Sequence, residues 1–225
     1  MSKLLEVCTG SLRSALAAVE GGAERIELCS ALSVDGLTPS LGLLQTVRKR
    51  CPALRIHVLI RPREGDFVYT QAEIEVMLAD IQAMLPYADG FVSGALISSG
   101  DIDVETTSRL ITACEDKPFT FHRAFDVCRD PFVSFRQLLR LGCTRLLTSG
   151  QQPSAEQGIG LISRLVTESA GQMIVMPGGG VSSRNAKDII QLTGAIEIHG
   201  SAKAGGTDTN PMEVEAIKQA IALLD

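Results

Sequence analysis

The fold of this chain is decided by three short stretches of similar sequence: Leu5-Glu6-Val7-Cys8, Ile26-Glu27-Leu28-Cys29 and Ile196-Glu197-Ile198-His199. In each stretch a glutamate is followed two residues later by a cysteine or a histidine, with aliphatic residues between them. Side chains alternate across a β-strand, so the glutamate and the cysteine or histidine share one face and the aliphatic residues take the other. If the first, second and last strands are neighbours, three carboxylates, two thiols and an imidazole converge.

The rest of the chain alternates short β-rich runs with amphipathic segments of helical length. The predicted strands are 3–8, 25–29, 55–61, 90–94, 118–122, 144–148, 172–177 and 195–199, and the predicted helices are 11–20, 40–51, 71–85, 103–115, 131–141, 154–169, 182–192 and 211–224. Eight β/α pairs without a break in composition favour one α/β domain over residues 1–225, a single (β/α)8 TIM-like barrel. The alternative is an open doubly wound sheet, which would leave the first and last strands apart, whereas a closed barrel makes strands 8, 1 and 2 consecutive neighbours.

Composition sets broad limits on function. The chain has 225 residues, of which 45% are hydrophobic and 21% charged, and a net charge of -5, which gives no electrostatic case for a nucleic-acid partner. No run of 18 apolar residues and no signal-peptide pattern occurs, so we expect no membrane association and a cytoplasmic location. Cysteines in that reducing compartment are thiols or metal ligands more often than disulfides.

Many ionisable side chains fall on the predicted inward face of the strands. The predicted inward residues are Glu6, Cys8, Glu27, Cys29, His57, Leu59, Arg61, Thr120, His122, Glu197 and His199, and the outward ones are Val7, Leu28, Ile56, Val58, Ile60, Phe119, Phe121, Ile196 and Ile198. Burying so much charge is costly unless the groups are paired or bind a charged ligand. The structural alternative is an ionic core in which Arg61 and Arg123 neutralise the carboxylates.

Cys8, Cys29 and His199 form a candidate metal site. Two thiolates and an imidazole suit Cu(I) or Zn(II), and adjacent strands would bring them within a few ångströms of one another. The alternative is that both cysteines are small buried hydrophobic residues, as free cysteines often are. The remaining cysteines fall on helices or loops and are predicted to be incidental.

The same barrel mouth could instead belong to an enzyme acting on a small phosphorylated or carboxylated metabolite. In that hypothesis Glu27, His57, His122 and Arg123 are the candidate catalytic residues, with a carboxylate or imidazole moving a proton. Candidate anion-binding residues are Arg61, Gly178, Gly179, Gly180 and Ser201. The last four belong to the loops after predicted strands 7 and 8, where barrels frequently bind phosphate. The residue types leave open whether the protein is an enzyme.

Several motifs, in order along nearly the whole chain, resemble the CutC family. They are Glu6-Val7-Cys8, Gly22-Ala23-Glu24-Arg25-Ile26-Glu27-Leu28-Cys29-Ser30, Gly36-Leu37-Thr38-Pro39-Ser40, Ile60-Arg61-Pro62-Arg63, Gly65-Asp66-Phe67, Phe121-His122-Arg123-Ala124-Phe125-Asp126 and Leu147-Thr148-Ser149-Gly150. The resemblance implies a TIM-like barrel, a cytoplasmic homodimer and a role in copper homeostasis. It also implies Cu(I) binding at Cys8 and Cys29.

Overall fold

The computed structural model of the protein describes residues 3–224, and over this range eight strands alternate with eight α-helices. The strands are β1 Leu4–Thr9, β2 Arg25–Leu28, β3 Arg55–Leu59, β4 Gly90–Ser93, β5 Phe119–Phe121, β6 Arg145–Thr148, β7 Ile174–Pro177 and β8 Glu197–Gly200. The α-helices are α1 Leu12–Glu20, α2 Leu41–Arg50, α3 Gln71–Met84, α4 Val104–Ala113, α5 Pro131–Leu141, α6 Ile159–Ser169, α7 Ala186–Thr193 and α8 Pro211–Ala222. Short 3-10 helices follow β2 at Leu32–Val34 and β5 at Arg123–Val127.

All neighbouring strands are parallel, and the first strand lies between the second and the last. The order across the sheet runs from β7 through consecutive strands to β1 and then β8. An isolated parallel bridge between Gly178 and His199 brings the β7 end of the sheet to β8 and closes the ring. The predicted (β/α)8 barrel is confirmed, and the open doubly wound alternative is wrong because β8 pairs with β1.

The outward faces of the strands pack under the helices as the alternation predicts. Val7, Leu28, Ile56, Val58, Ile60, Phe119, Phe121 and Ile198 are at most 2% exposed, and Ile196 is half-buried. This continuous apolar layer between sheet and helices supplies most of the hydrophobic stabilisation of such a barrel. The polar residues of the strands are thereby left on the inner wall.

The helices begin where side chains satisfy their first backbone N–H groups. Ser11, Ser40, Asp103 and Asp130 accept such hydrogen bonds, and Thr70 forms a capping box with Glu73. In the part of the chain from residue 3 to 224, no helix has the length and apolar character needed to cross a bilayer.

The largest differences from the predicted boundaries lie at the starts of two helices. Helix α6 begins at Ile159 and not at 154, because residues 155–158 form turns in which the Ala155 N–H donates to the Gly179 carbonyl. Helix α7 begins at Ala186 and not at 182, because the Ser182 N–H donates to the Asn185 side chain and closes a turn. Both turns shape loops at the carboxyl end of the barrel.

Candidate functional site

A fully buried arginine, Arg25 at the start of β2, neutralises two of the inward glutamates. Its Nε donates to Glu6 Oε2 at 2.6 Å, and its Nη2 donates to Glu197. Arg145, at the start of β6, also donates from Nε to Glu197 Oε2 at 2.8 Å. The expectation that Arg61 and Arg123 would pair with these carboxylates is therefore wrong.

The sequence did contain a signal for Arg25. The residue stands two positions before Glu27, so strand alternation places it on the inner face, and the β1–β2 register sets it opposite Glu6. A basic residue at the first position of a strand resembles a surface residue, and only the neighbouring strands show that Arg25 is enclosed.

Glu6 is held in its charged form. Although burial opposes ionisation, the charge of Arg25 and hydrogen bonds with His199 and His57 hold the pKa of Glu6 well below its usual value. His57 Nδ1 lies 3.3 Å from Glu6 Oε2. The predicted catalytic residue His57 thus contacts the buried ion-pair network and does not line the cavity described below.

Above this network, three potential metal donors face one another. One donor atom from each of Cys8, Glu27 and His199 lies within 4.8 Å of the other two. The register explains the grouping, since Cys8 lies opposite Glu27 on β2 and Glu6 lies opposite His199 on β8. The imidazole is oriented by its Nδ1–H, which donates to Glu6 Oε1 at 2.9 Å, and its Nε2 is 3.6 Å from Glu27 Oε2.

Cys8 also forms a pair with Cys29, and the sulfur atoms are 3.8 Å apart. Two metal–sulfur bonds of about 2.3 Å at a tetrahedral angle span about 3.8 Å, so the pair has the separation that a shared ion requires. The Glu6–His199 hydrogen bond is of the kind that fixes the tautomer of a metal-binding imidazole. The donor set therefore fits a thiophilic metal ion.

The three predicted metal ligands, Cys8, Cys29 and His199, do not form a single group in the structure. Cys8 belongs both to the sulfur pair and to the group with Glu27 and His199, whereas Cys29 is outside that group within residues 3–224. Cys29 is fully buried, and its thiol lies 3.4 Å from the Thr9 carbonyl, to which it donates. Cys8 is therefore the residue common to every metal-binding arrangement found here.

Electrostatics hold protons on these donors when no metal is bound. The hydrogen bond with Cys29, burial and the Glu27 charge raise the pKa of Cys8 well above its usual value. Burial alone would lower the pKa of His199, but hydrogen bonds with Cys8 and Glu6 and the charge of Glu27 raise it well above 6.5. Burial also raises the pKa of Glu27. A bound metal ion would have to displace protons from Cys8 and His199.

These donors lie in the wall of a cavity of about 430 Å³ at the carboxyl ends of the strands. The predicted site residues that line it are Cys8, Glu27, Arg61, His122, Arg123, Gly179, Gly180, His199 and Ser201. In the described chain the predicted residues Cys29, His57 and Gly178 do not line it. The volume is in the range of small-molecule sites, about 300–1,000 Å³.

Comparison of the sequence with known proteins identifies the family of this chain. The model of the CutC family matches residues 3–204. The chain belongs to the CutC family. It is 50% identical over 202 residues to a human protein named copper homeostasis protein cutC homolog, covering 89% of this chain and 74% of that protein. It is 47% identical over 205 residues to a CutC family protein of Parabacteroides distasonis, covering 91% of this chain and 84% of that protein.

Solved structures confirm the same fold. The putative copper homeostasis protein CutC from Streptococcus agalactiae superposes with a TM-score of 0.84 at 34% identity, covering 88% of this chain and 98% of that one. A thiamine phosphate pyrophosphorylase from Pyrococcus furiosus has a TM-score of 0.66 at 15% identity, covering 99% of this chain and 96% of that one. At that identity the second likeness shows the barrel fold alone.

The candidate anion-binding residue Arg61 and the candidate catalytic residue Arg123 of this CutC-family chain differ in their contacts. Arg61 is buried, and its two Nη groups donate to the carbonyls of Val34, Gly36 and Gly65. It thus fastens the loops after β2 and β3, and most of its N–H donors are used. Arg123 is partly exposed, and Asp126 accepts its Nε–H at 2.8 Å.

The glycine loop after β7 has different roles at successive positions. A Cβ at Gly178 would lie 2.5 Å from Leu147 Cδ1 and 3.3 Å from His199 Cβ, so a larger residue there would require the Leu147 side chain to shift. Gly179 has a φ of +101°, and a Cβ there would lie 3.5 Å from Arg123 Cζ. The positive φ therefore favours glycine at this position, whereas the contact with the guanidinium is at an ordinary van der Waals distance.

The other four cysteines of this family member are buried in the hydrophobic core. They are Cys51, Cys114, Cys128 and Cys143. Burial raises the pKa of Cys114 and of Cys143 to about 12, so both are unreactive thiols. The structure agrees with the prediction that they are incidental to the site.

Proposed function

We propose that this CutC-family protein acts in copper homeostasis by binding Cu(I) through the thiolates of Cys8 and Cys29, with His199 as a third ligand. The separation of 3.8 Å between the two sulfur atoms is the observation that carries the proposal. The family supports it, since the human and mouse relatives are both named copper homeostasis protein cutC homologs.

The chemistry of the donors favours Cu(I) over harder ions. Paired thiolates select soft metals, and Cu(I) is the softest of the ions that thiolate and imidazole ligands commonly hold. Cys8 lines the cavity and is 9% exposed, so an ion can reach it from the mouth of the barrel. Cys29 lies behind it and is fully enclosed, which would shelter the bound ion from water.

An anaerobic competition titration with a chromophoric Cu(I) chelator tests the proposal. We expect Cys8→Ser and Cys29→Ser each to weaken Cu(I) binding by about a hundredfold or more, since each removes one of two soft ligands. His199→Asn should weaken it by about tenfold. Cys51→Ser, which changes a buried thiol outside the cavity, is the matched control and should bind as the unaltered protein does.

Two outcomes would contradict the proposal. Unchanged Cu(I) affinity in the double variant Cys8→Ser, Cys29→Ser would remove the thiolate pair from copper binding. Weaker binding in Glu27→Gln and Cys8→Ser, but not in Cys29→Ser, would instead assign the metal to the group of Cys8, Glu27 and His199. That donor set is one that Zn(II) accepts.

A cytoplasmic location and a homodimer belong to the same proposal, because both are implied by the family resemblance. Cell fractionation and sedimentation velocity at micromolar concentration would measure them. A protein that sediments as a monomer at these concentrations would contradict the dimer.

A further inference from the structure

Most of the cavity wall is not needed for copper. Of the proposed copper donors, only Cys8 on β1 and His199 on β8 line the cavity within the described residues, whereas His122, Arg123 and Lys203, which follow strands β5 and β8, line it as well. Apolar side chains, among them Leu59 and Leu147, cover part of the remaining wall. The cavity is therefore larger and chemically more varied than a single metal ion requires.

His122 is a buried hydrogen-bond donor without an acceptor. The Ala124 N–H donates to its Nδ1 at 3.2 Å, so in the neutral ring the proton is on Nε2. Burial and the charge of Arg61 lower the pKa of His122 to about 3, which keeps the ring neutral. The residue is 6% exposed and lines the cavity, and among residues 3–224 nothing accepts from Nε2. Buried hydrogen-bond donors are rarely left without an acceptor unless a ligand or a water molecule supplies one.

Arg61, beside His122, is also a buried residue with a hydrogen-bond donor that is unpaired within residues 3–224. It is 4% exposed and lines the cavity, and its Nε has no partner in the described residues. Phe67 separates the two, with its ring 5.0 Å from Arg61 Cζ and 5.0 Å from the His122 ring. The cavity thus carries two unused polar groups on one side, held rigidly around an aromatic ring.

The loops after β7 and β8 offer donors for an anion in the wall of the same cavity. Lys203 forms no salt bridge within residues 3–224. The backbone N–H groups of Gly180 and Val181 donate to no acceptor in the described chain. Successive free backbone amides beside a cation form the concave arrangement that binds phosphate. Asp126, which also lines the cavity, pairs with Arg123 at 2.8 Å.

Two acids on the wall are on another side of the mouth. Glu27 is on β2, and Asp35 is in the loop that follows it, whereas Lys203, Gly180 and Val181 follow β8 and β7. Lys203 and the free amides thus belong to the loops after β7 and β8, although Glu27 approaches that side through His199, whose Nε2 is 3.6 Å from Glu27 Oε2. A ligand with a negative charge at one end would bind in one orientation.

We propose that the cavity binds a small phosphorylated metabolite, with its phosphate at Gly180, Val181 and Lys203 and an oxygen acceptor at the Nε2–H of His122. Leu59, Phe67 and Leu147 would cover its carbon chain. This site goes beyond copper binding, and its polar contacts come from residues that are not copper ligands in the proposal above.

The test follows backbone amide resonances by NMR in the full-length protein. The probes are dihydroxyacetone phosphate, which has a phosphate and a ketone, inorganic phosphate, which has no ketone, and dihydroxyacetone, which has no phosphate. We expect the first two, at up to about 10 mM, to shift the resonances of Gly180 and Val181, whereas dihydroxyacetone should not. No shift with either phosphate probe would overturn the proposal.

Variants separate the two ends of the ligand. Lys203→Ala should weaken binding of both phosphate probes by about tenfold. Lys187→Ala, which changes an exposed lysine outside the cavity, should leave their binding unchanged.

His122→Gln should weaken binding of dihydroxyacetone phosphate by about fivefold but leave binding of inorganic phosphate unaffected, because only dihydroxyacetone phosphate reaches the imidazole ring. His122→Asn repeats this comparison if the glutamine variant does not fold. Equal affinities in the protein and in Lys203→Ala would overturn the phosphate site, and equal affinities in the His122 variants would overturn the acceptor contact.

Discussion

At the scale of single residues, Arg25 makes the charged interior of the barrel possible. It lies between Glu6 and Glu197, and each of these carboxylates is buried. A buried ion pair contributes little compared with apolar packing, but removing one partner leaves an uncompensated charge. Arg25 therefore governs both stability and the orientation of His199, which depends on an ionised Glu6.

Replacing Arg25 by methionine should be strongly destabilising. We expect Arg25→Met to lower the free energy of unfolding by about 3–5 kcal/mol, because Glu6 and Glu197 lose their buried partner. Urea unfolding followed by circular dichroism measures this change. Arg136→Met is the matched control, since Arg136 is exposed and its pair with Glu168, 3.1 Å apart, should contribute at most about 1 kcal/mol. Equal losses in the two variants would show that the buried network does not need its cation.

His122 should make stability depend on pH in a predictable direction. Its pKa is lowered from 6.5 to about 3 in the folded protein, so below pH 6.5 the unfolded chain binds a proton that the folded one does not. The stability from His122 is thus present above pH 6.5 and lost as the pH falls toward 3. Glu27 and His199 act in the opposite direction because their pKa values are raised.

Comparison with His122→Gln isolates this contribution. Between pH 6 and 5 the unfolding free energy of the unaltered protein should fall more steeply than that of the variant, by about 1.4 kcal/mol per pH unit. Urea unfolding at a series of pH values gives both slopes. Parallel curves would mean that the ring is protonated in the folded state.

At the scale of structural elements, the connection between β6 and α6 positions the rim of the cavity. Ser149, directly after β6, accepts a hydrogen bond from Arg123 at 3.1 Å. Gly158, at the start of α6, packs so closely against this segment that a Cβ would lie 1.8 Å from the Ser149 carbonyl oxygen. The helix start and the loop after the strand therefore depend on one glycine.

Two glycine substitutions in this connection should have opposite effects. Gly158→Ala should destabilise the protein by about 1–3 kcal/mol, because the methyl group overlaps the Ser149 backbone. Gly160→Ala, in the first turn of the same helix, has nothing within 4 Å of the added carbon and should stabilise by about 0.4–1 kcal/mol. Thermal unfolding of both variants measures the difference. A Gly158→Ala protein as stable as the unaltered one would show that the loop shifts without cost.

At the scale of the whole molecule, ring closure determines which side chains meet. Strand β1 is paired along its length with both β2 and β8, so residues about 190 positions apart in sequence, such as Glu6 and His199, become neighbours. The other edge of β8 is held to β7 by the single bridge at Gly178 and His199. The seam between β7 and β8 is thus the least extensively hydrogen-bonded junction among the described strands.

Hydrogen exchange should reveal this seam. We expect the amides of β8 that face β7 to exchange at least about tenfold faster than those of β1 and β2, because local opening there breaks fewer hydrogen bonds. Mass spectrometry of peptides after deuterium labelling would measure the rates, with β3 and β4 as the reference for a fully paired junction. Equal protection at all junctions would contradict this expectation.

The single domain over residues 1–225 also stays a prediction. Limited proteolysis tests it, and a single domain should release no stable fragment.

The sequence determined the barrel and the faces of its strands because both follow from local periodicity. Alternation placed Glu6, Cys8, Glu27 and His199 inward, and the repeated strand and helix pattern required a parallel sheet. The resemblance of the motifs around Cys8 and Cys29 to the CutC family implied Cu(I) binding, which stays a proposal. The resemblance to the CutC family is confirmed by the matching family model.

The contacts among the inward residues follow from the three-dimensional packing of the strands. Periodicity gives the face of a side chain but not its depth in the barrel, which depends on the stagger between strands. That stagger pairs Glu6 and Glu197 with Arg25 and leaves Glu27 beside Cys8 and His199. The sulfur of Cys29 lies 3.8 Å from the sulfur of Cys8 but outside the group formed by Cys8, Glu27 and His199. Contacts between residues far apart in sequence arise from packing the whole chain, so no local pattern could have specified them.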